Sequence, residues 1–71
     1  METIAITTEF IRLQDLMKLA NMVSSGGEAK QLIQDGQVLV NGEPCLQRGR
    51  KLRPGDTVTY RGRTYTTAYA T

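Results

Sequence analysis

Ile4 and Ile6 alternate with Thr3, Ala5 and Thr7, a period-two pattern that predicts a short first strand. The period then lengthens. Leu13, Leu16, Met17 and Ala20 recur at helical spacing, with Leu19 and Val23 widening the stripe, which predicts a helix over residues 13–21 with Arg12 at its start. A second apolar face, Ala29, Leu32 and Ile33, carries clear boundary signals. Ser25 and Glu28 form a capping-box pair: the hydroxyl takes one free amide and the carboxylate the reciprocal one, with Ser24 as a competing cap. Gly36 stands where a left-handed C-terminal residue is wanted, so this helix spans about residues 26–35.

Beyond residue 36 the pattern returns to strands and turns. Val38 and Val40 share one strand face, and Asn41-Gly42 signals a tight turn. QRGRK reads as a basic loop with Leu52 as its apolar anchor, and Pro54-Gly55 favours a type II turn. Val58 and Tyr60 lie on one face of a further strand. Arg61-Gly62-Arg63 turns the chain, and Thr64 to Tyr69, rich in Thr and Tyr, forms the last strand. The predicted class is α+β, two helices packed on a small, mostly antiparallel sheet.

The length of 71 residues restricts the chain to one small domain over residues 1–71, too small to fill a core and also enclose a deep catalytic pocket. No apolar run approaches the roughly 20 residues that span a bilayer. METIAITTEF lacks the basic-then-apolar order of a secretory signal. One cysteine, Cys45, makes no internal disulfide, so the expected compartment is the cytoplasm. The sequence has no His, the usual general base near neutral pH, and no thiol or imidazole cluster for a metal. Catalysis is not expected, nor any cofactor or small-molecule substrate; an enzymatic role would need a group supplied by a partner chain.

The net charge of +2 is unevenly spread. Residues 1–11 carry Glu2 and Glu9 and no base. Residues 48–63 hold Arg48, Arg50, Lys51, Arg53, Arg61 and Arg63 against Asp56 alone, a local excess of +5. Such a segment attracts a polyanion, or it serves only to keep a loop solvated. In SSGGEAK, the free amides of a helix start favour an anion, Gly26 and Gly27 allow close backbone approach, and Lys30 lies one turn in. The same letters also make an ordinary tight helix connection. Arg12 opposes the dipole at a helix start, which fits a ligand-facing residue or a plain surface arginine; Lys18 follows almost two turns later. With no long basic helix to enter a major groove, folded RNA suits this surface better than duplex DNA. The tyrosines offer stacking platforms, though Tyr60 is assigned to the core.

The stretch from Arg12 to Tyr60 resembles the RNA-binding domain named after ribosomal protein S-four. The matching strings are Arg12-Leu13, SGGEAKQLI, GQVLVNG and KLRPGDTV. SGG-x-AK and RGRKL-x-x-GD liken the whole chain to the free-standing bacterial YaaA/YbcJ-like members. The resemblance implies an α-L motif with its core at residues 12–60, presenting a basic surface to structured RNA, ribosomal RNA foremost, with ribosomal proteins as further partners and no membrane. Arg12 and Lys30 would then meet phosphates, and Ser25, Gly26 and Gly27 would shape the helix end. Asn41 and Gly42 would hold the turn, and Lys51 and Arg53 would extend the basic edge; Lys18, Arg48 and Arg50, from the charge pattern, complete the expected RNA-binding set. Many relatives carry Ser-Arg where this chain has Ser25-Gly26, so one phosphate-binding arginine is missing. The alternative is a protein adaptor whose basic loop meets an acidic partner.

Overall fold

The structure is a computed structural model that describes residues 2–70. Its first helix is too short to persist alone, and packing is what holds it. α1 spans Leu13–Leu19, and its inward side chains Leu13, Leu16 and Met17 are fully buried. It ends sooner than the apolar stripe suggests, because Ala20 caps it and Asn21 turns left-handed at φ 59°. α2 spans Gly26–Gln34 and buries Ala29 and Ile33 against α1. Fully burying a Leu or Ile contributes about 1.5–3 kcal/mol, so these few side chains weigh heavily in so small a molecule.

Two sheets complete the fold. The larger has the order β1-β7-β6-β3-β4, formed by β1 (Glu2–Ile6), β7 (Arg63–Tyr69), β6 (Thr57–Tyr60), β3 (Leu39–Val40) and β4 (Glu43–Pro44). It is antiparallel except at one edge, where β1 runs parallel to β7 with Ile4 opposite Thr67. The smaller pairs β2 (Ile11–Arg12) with β5 (Lys51–Leu52). Val38 lies just outside β3, and its carbonyl accepts the Cys45 N–H at 3.0 Å. The core gathers Leu13, Leu16, Met17, Val23, Ala29, Ile33, Val38, Val40, Cys45, Leu52 and Val58 between the helices and the strands. Tyr60 packs on its margin, while Tyr65 is buried and Tyr69 exposed.

The turns follow local chemistry. Asn41 (φ 52°) and Gly42 (φ 85°) close a two-residue hairpin between Val40 and Glu43, the left-handed pair that a type I′ turn demands. Gly55 (φ 101°) follows Pro54, with the Asp56 N–H donating to the Arg53 carbonyl at 2.9 Å, a type II arrangement.

Candidate nucleic-acid interface

Leu13 begins α1 with an N–H that lacks an intrahelical partner, as at every helix start. Here the basic segment supplies the acceptors. The Leu13 N–H donates to the Arg50 carbonyl at 2.9 Å and the Gln14 N–H to the Arg48 carbonyl at 3.1 Å. Arg12 is therefore not the first helical residue but the last of β2: it is extended at φ −76°, ψ 148°, and its side chain makes no capping bond. Lys51, expected in a loop, is a strand residue opposite Arg12. Antiparallel partners share a face. The pair Ile11–Leu52 turns Leu52 into the core, while Arg12 and Lys51 are both exposed. Lys51 Nζ also lies 4.9 Å from the centre of the Phe10 ring.

Arg53 sits on a turn tied down at several points. Its N–H donates to Asp56 Oδ2 at 2.8 Å, and Asn41 Nδ2 donates to Asp56 Oδ1 at 3.2 Å. Thr67, buried in β7, places its hydroxyl 2.5 Å from the Arg53 carbonyl and 3.0 Å from that of Asp56, one proton shared between two acceptors. Both ends of the Asn41 amide are engaged, since its Oδ1 accepts the Thr57 N–H at 3.0 Å. Asn41 thus joins the β3–β4 turn to the Arg53–Asp56 turn.

The start of α2 is built differently. Ser25 Oγ accepts the Glu28 N–H at 3.3 Å, as the capping box requires, but the Glu28 carboxylate reaches the Ser24 N–H (2.9 Å) instead of that of Ser25. A Cβ on Gly26 would meet nothing within 4 Å, and one on Gly27 only Ser25 Oγ at 4.0 Å. Neither glycine is required by packing or by a left-handed backbone. Among the described residues no hydrogen bond takes their amides, and Lys30 is exposed one turn on.

Arg12, Arg48, Arg50, Lys51 and, through β5, Arg53 thus gather around the start of α1. Ser25, Gly26, Gly27 and Lys30 lie on the helix packed against α1; among the described residues no hydrogen bond or ion pair links them to the basic segment. Lys18 stands apart from the cluster, in the last turn of α1, with Asp15 at 3.7 Å. Of the nine Lys and Arg, Lys18 alone has an ion-pair partner among the described residues. Three of the seven acids bond elsewhere: Glu28 to an amide, Asp35 to Gln31, and Asp56 to Asn41 and the Arg53 N–H. The other cations stand uncompensated among the described residues. Arg61 and Arg63, outside the expected RNA-binding set, belong to the same charged run.

Similarity to known proteins is found at three levels: a family, a sequence relative and a solved structure. Residues 4–68 match the S4 domain family. The chain is 49% identical over 59 residues, 83% of each chain, to a protein of Bacillus subtilis (strain 168) named "Probable ribosome maturation protein RlbA". It superposes with a TM-score of 0.72 and 32% identity on the solution structure of YbcJ from E. coli, covering 96% of this chain and 87% of that one. The YbcJ structure is described as revealing an α-L motif involved in RNA binding. Two helices on a mostly antiparallel sheet are the same fold in both.

Proposed function

The chain belongs to the S4 domain family, and from that premise we propose that it is a non-enzymatic, cytoplasmic RNA-binding protein that grips folded RNA, ribosomal RNA foremost, during ribosome maturation. Residues 1–71 act as one unit with the motif core at 12–60, and Arg12, Arg48, Arg50, Lys51 and Arg53 provide the principal phosphate contacts. Ser25, Gly26, Gly27 and Lys30 add a helix-start contact, Asn41 holds the turns, and Lys18 is peripheral.

The observation that carries the reading is the set of exposed cations at the start of α1, none of which has an ion-pair partner among the described residues. A protein surface keeps like charges close and unpaired at an electrostatic cost, which a polyanion offsets by releasing its own counterions. Their backbones are fixed by the α1 start and by Asp56, so the segment is ordered before RNA arrives and only side-chain freedom is lost on binding. The ribosome-maturation name of the Bacillus relative and the α-L motif described for the E. coli neighbour support the same class of partner.

The test is binding of labelled ribosomal RNA fragments to the wild type and to a combined Arg50→Ala, Lys51→Ala, Arg53→Ala variant. Removing these side chains leaves the backbone bonds that hold the segment in place, so the fold should persist. Affinity should fall at least about tenfold. Unchanged affinity in a folded variant would place the contact elsewhere, and a ribosome-bound partner that resists ribonuclease would favour the protein-adaptor reading.

A further inference from the structure

Tyr60, Arg61 and Arg63 stand at the β6–β7 turn, and the basic cluster above uses none of them. Tyr60 pairs with Arg63 across a two-residue hairpin in which Arg61 (φ 53°) and Gly62 (φ 78°) are both left-handed. The first position of such a turn favours Asn, Asp or Gly, so Arg61 occupies it against local preference. Its guanidinium carbon lies 5.3 Å from the centre of the Tyr60 ring. Arg61 and Arg63 are exposed, and neither has an ion-pair partner among the described residues.

Beside this turn an open cleft of about 640 Å³ runs between the β1–β7–β6 side of the sheet and the end of α1. Ile4, Leu19 and Met22 contribute its apolar surface, and Glu2, Arg61 and Arg63 stand among its polar residues. Leu19 is 56% exposed there, although Leu13, Leu16 and Met17 of the same helix are fully buried. The volume suits a ligand of nucleotide size. Apolar and π surface suits a base, a guanidinium can stack on a base or grip a phosphate, and the Glu2 carboxylate can accept from a base amino group. A bare anion would gain nothing from the apolar wall and would be opposed by Glu2. A peptide would offset both arginines only if it brought acidic side chains to them, against Glu2 in the same cleft.

We propose, resting on the RNA-binding reading above, that this cleft holds an unpaired nucleotide flanking the folded RNA held by the basic cluster. β7 sets the spacing. Thr67 ties down the Arg53 turn and Arg63 begins the strand four residues earlier, which separates the two contacts by about 13 Å. That distance is short enough for one RNA to reach both contacts.

The test uses two RNA hairpins with the same stem, one blunt and one carrying a short single-stranded 3′ overhang with 2-aminopurine as its fluorescent base. Two variants are compared with the wild type: Arg61→Asn with Arg63→Gln, and Leu19→Glu. Asparagine suits the left-handed turn position, and Leu19 is exposed, so both variants should fold. The wild type should bind the overhang RNA roughly tenfold tighter than the blunt one and quench its fluorescence. Both variants should lose the gain and the quench while binding the blunt stem within about twofold of wild type, which the retained basic cluster supports. A wild type that does not distinguish the RNAs, or variants that keep the gain, overturns the cleft assignment and leaves the RNA-binding reading standing. Kept gain with loss of ribonuclease-resistant retention on ribosomes assigns the cleft to a protein partner and also overturns it. Failure of the wild type to bind either RNA overturns both readings together.

Discussion

Thr67 shows how one buried hydroxyl organises an exposed basic segment. At 1% exposure it sits beneath the turn that carries Arg53, and its hydroxyl, N–H and carbonyl all engage that turn. Valine has almost the same shape but lacks the donor, so Thr67→Val strips the hydroxyl's bond from two carbonyls, each of which keeps one backbone N–H, without opening a cavity. The expected cost is about 1–2 kcal/mol, read as a lower urea midpoint with an unchanged slope. A loss below about 0.3 kcal/mol, smaller than a typical net hydrogen bond, would mean that solvent already serves those carbonyls. Asp56 works with Thr67 from the solvent side. Its carboxylate takes an amide and the Asn41 side chain, so the guanidinium of Arg53 is left without an ion-pair partner among the described residues.

At the level of elements, α2 sets stability against the binding proposed for its start. Two successive glycines in a first turn weaken a helix, yet neither Gly26 nor Gly27 needs the freedom that glycine provides. Gly26→Ala with Gly27→Ala should therefore raise stability by about 0.5–1.5 kcal/mol in total while weakening RNA binding, because the added methyl groups stand over the open amides. Higher stability with full affinity would reduce the glycines to an ordinary connection. The limits of the α2 capping box, the Asn41-Gly42 hairpin and the Pro54-Gly55 turn are legible in the sequence because each depends on neighbours within a few residues. The β2–β5 pair is not: Ile11 and Leu52 meet across a long stretch of chain, and two-residue strands carry no periodicity of their own. That hidden pairing is why Arg12 reads as a helix opener and Lys51 as a loop residue. The candidate cations are visible as a run of charge, but their grouping at the start of α1 depends on the Arg48 and Arg50 carbonyls, which side-chain letters do not encode. The cleft is hidden for the same reason, since α1 and β6 approach only in the folded molecule.

For the whole molecule, binding should depend on salt as a sum over phosphate contacts. Four to six contacts, each with a log–log slope of about 0.7 to 0.9, give roughly 3 to 5 overall between low and moderate salt. A titration with a slope near zero would contradict the electrostatic account whatever the affinity. The parallel pairing of β1 with β7 has a different consequence, in time rather than in space. β1 emerges from synthesis early, but its neighbour in the sheet, β7, is made after the other strands among the described residues. At about 5–20 residues per second, the 57 residues from Ile6 to Arg63 impose a wait of roughly 3–12 s. Until then Ile4 and Ile6 have no lid, and the nascent chain must carry a bare edge through a crowded cell. Glu2, a charge at the start of that strand, makes the edge a poorer template for strangers while it waits.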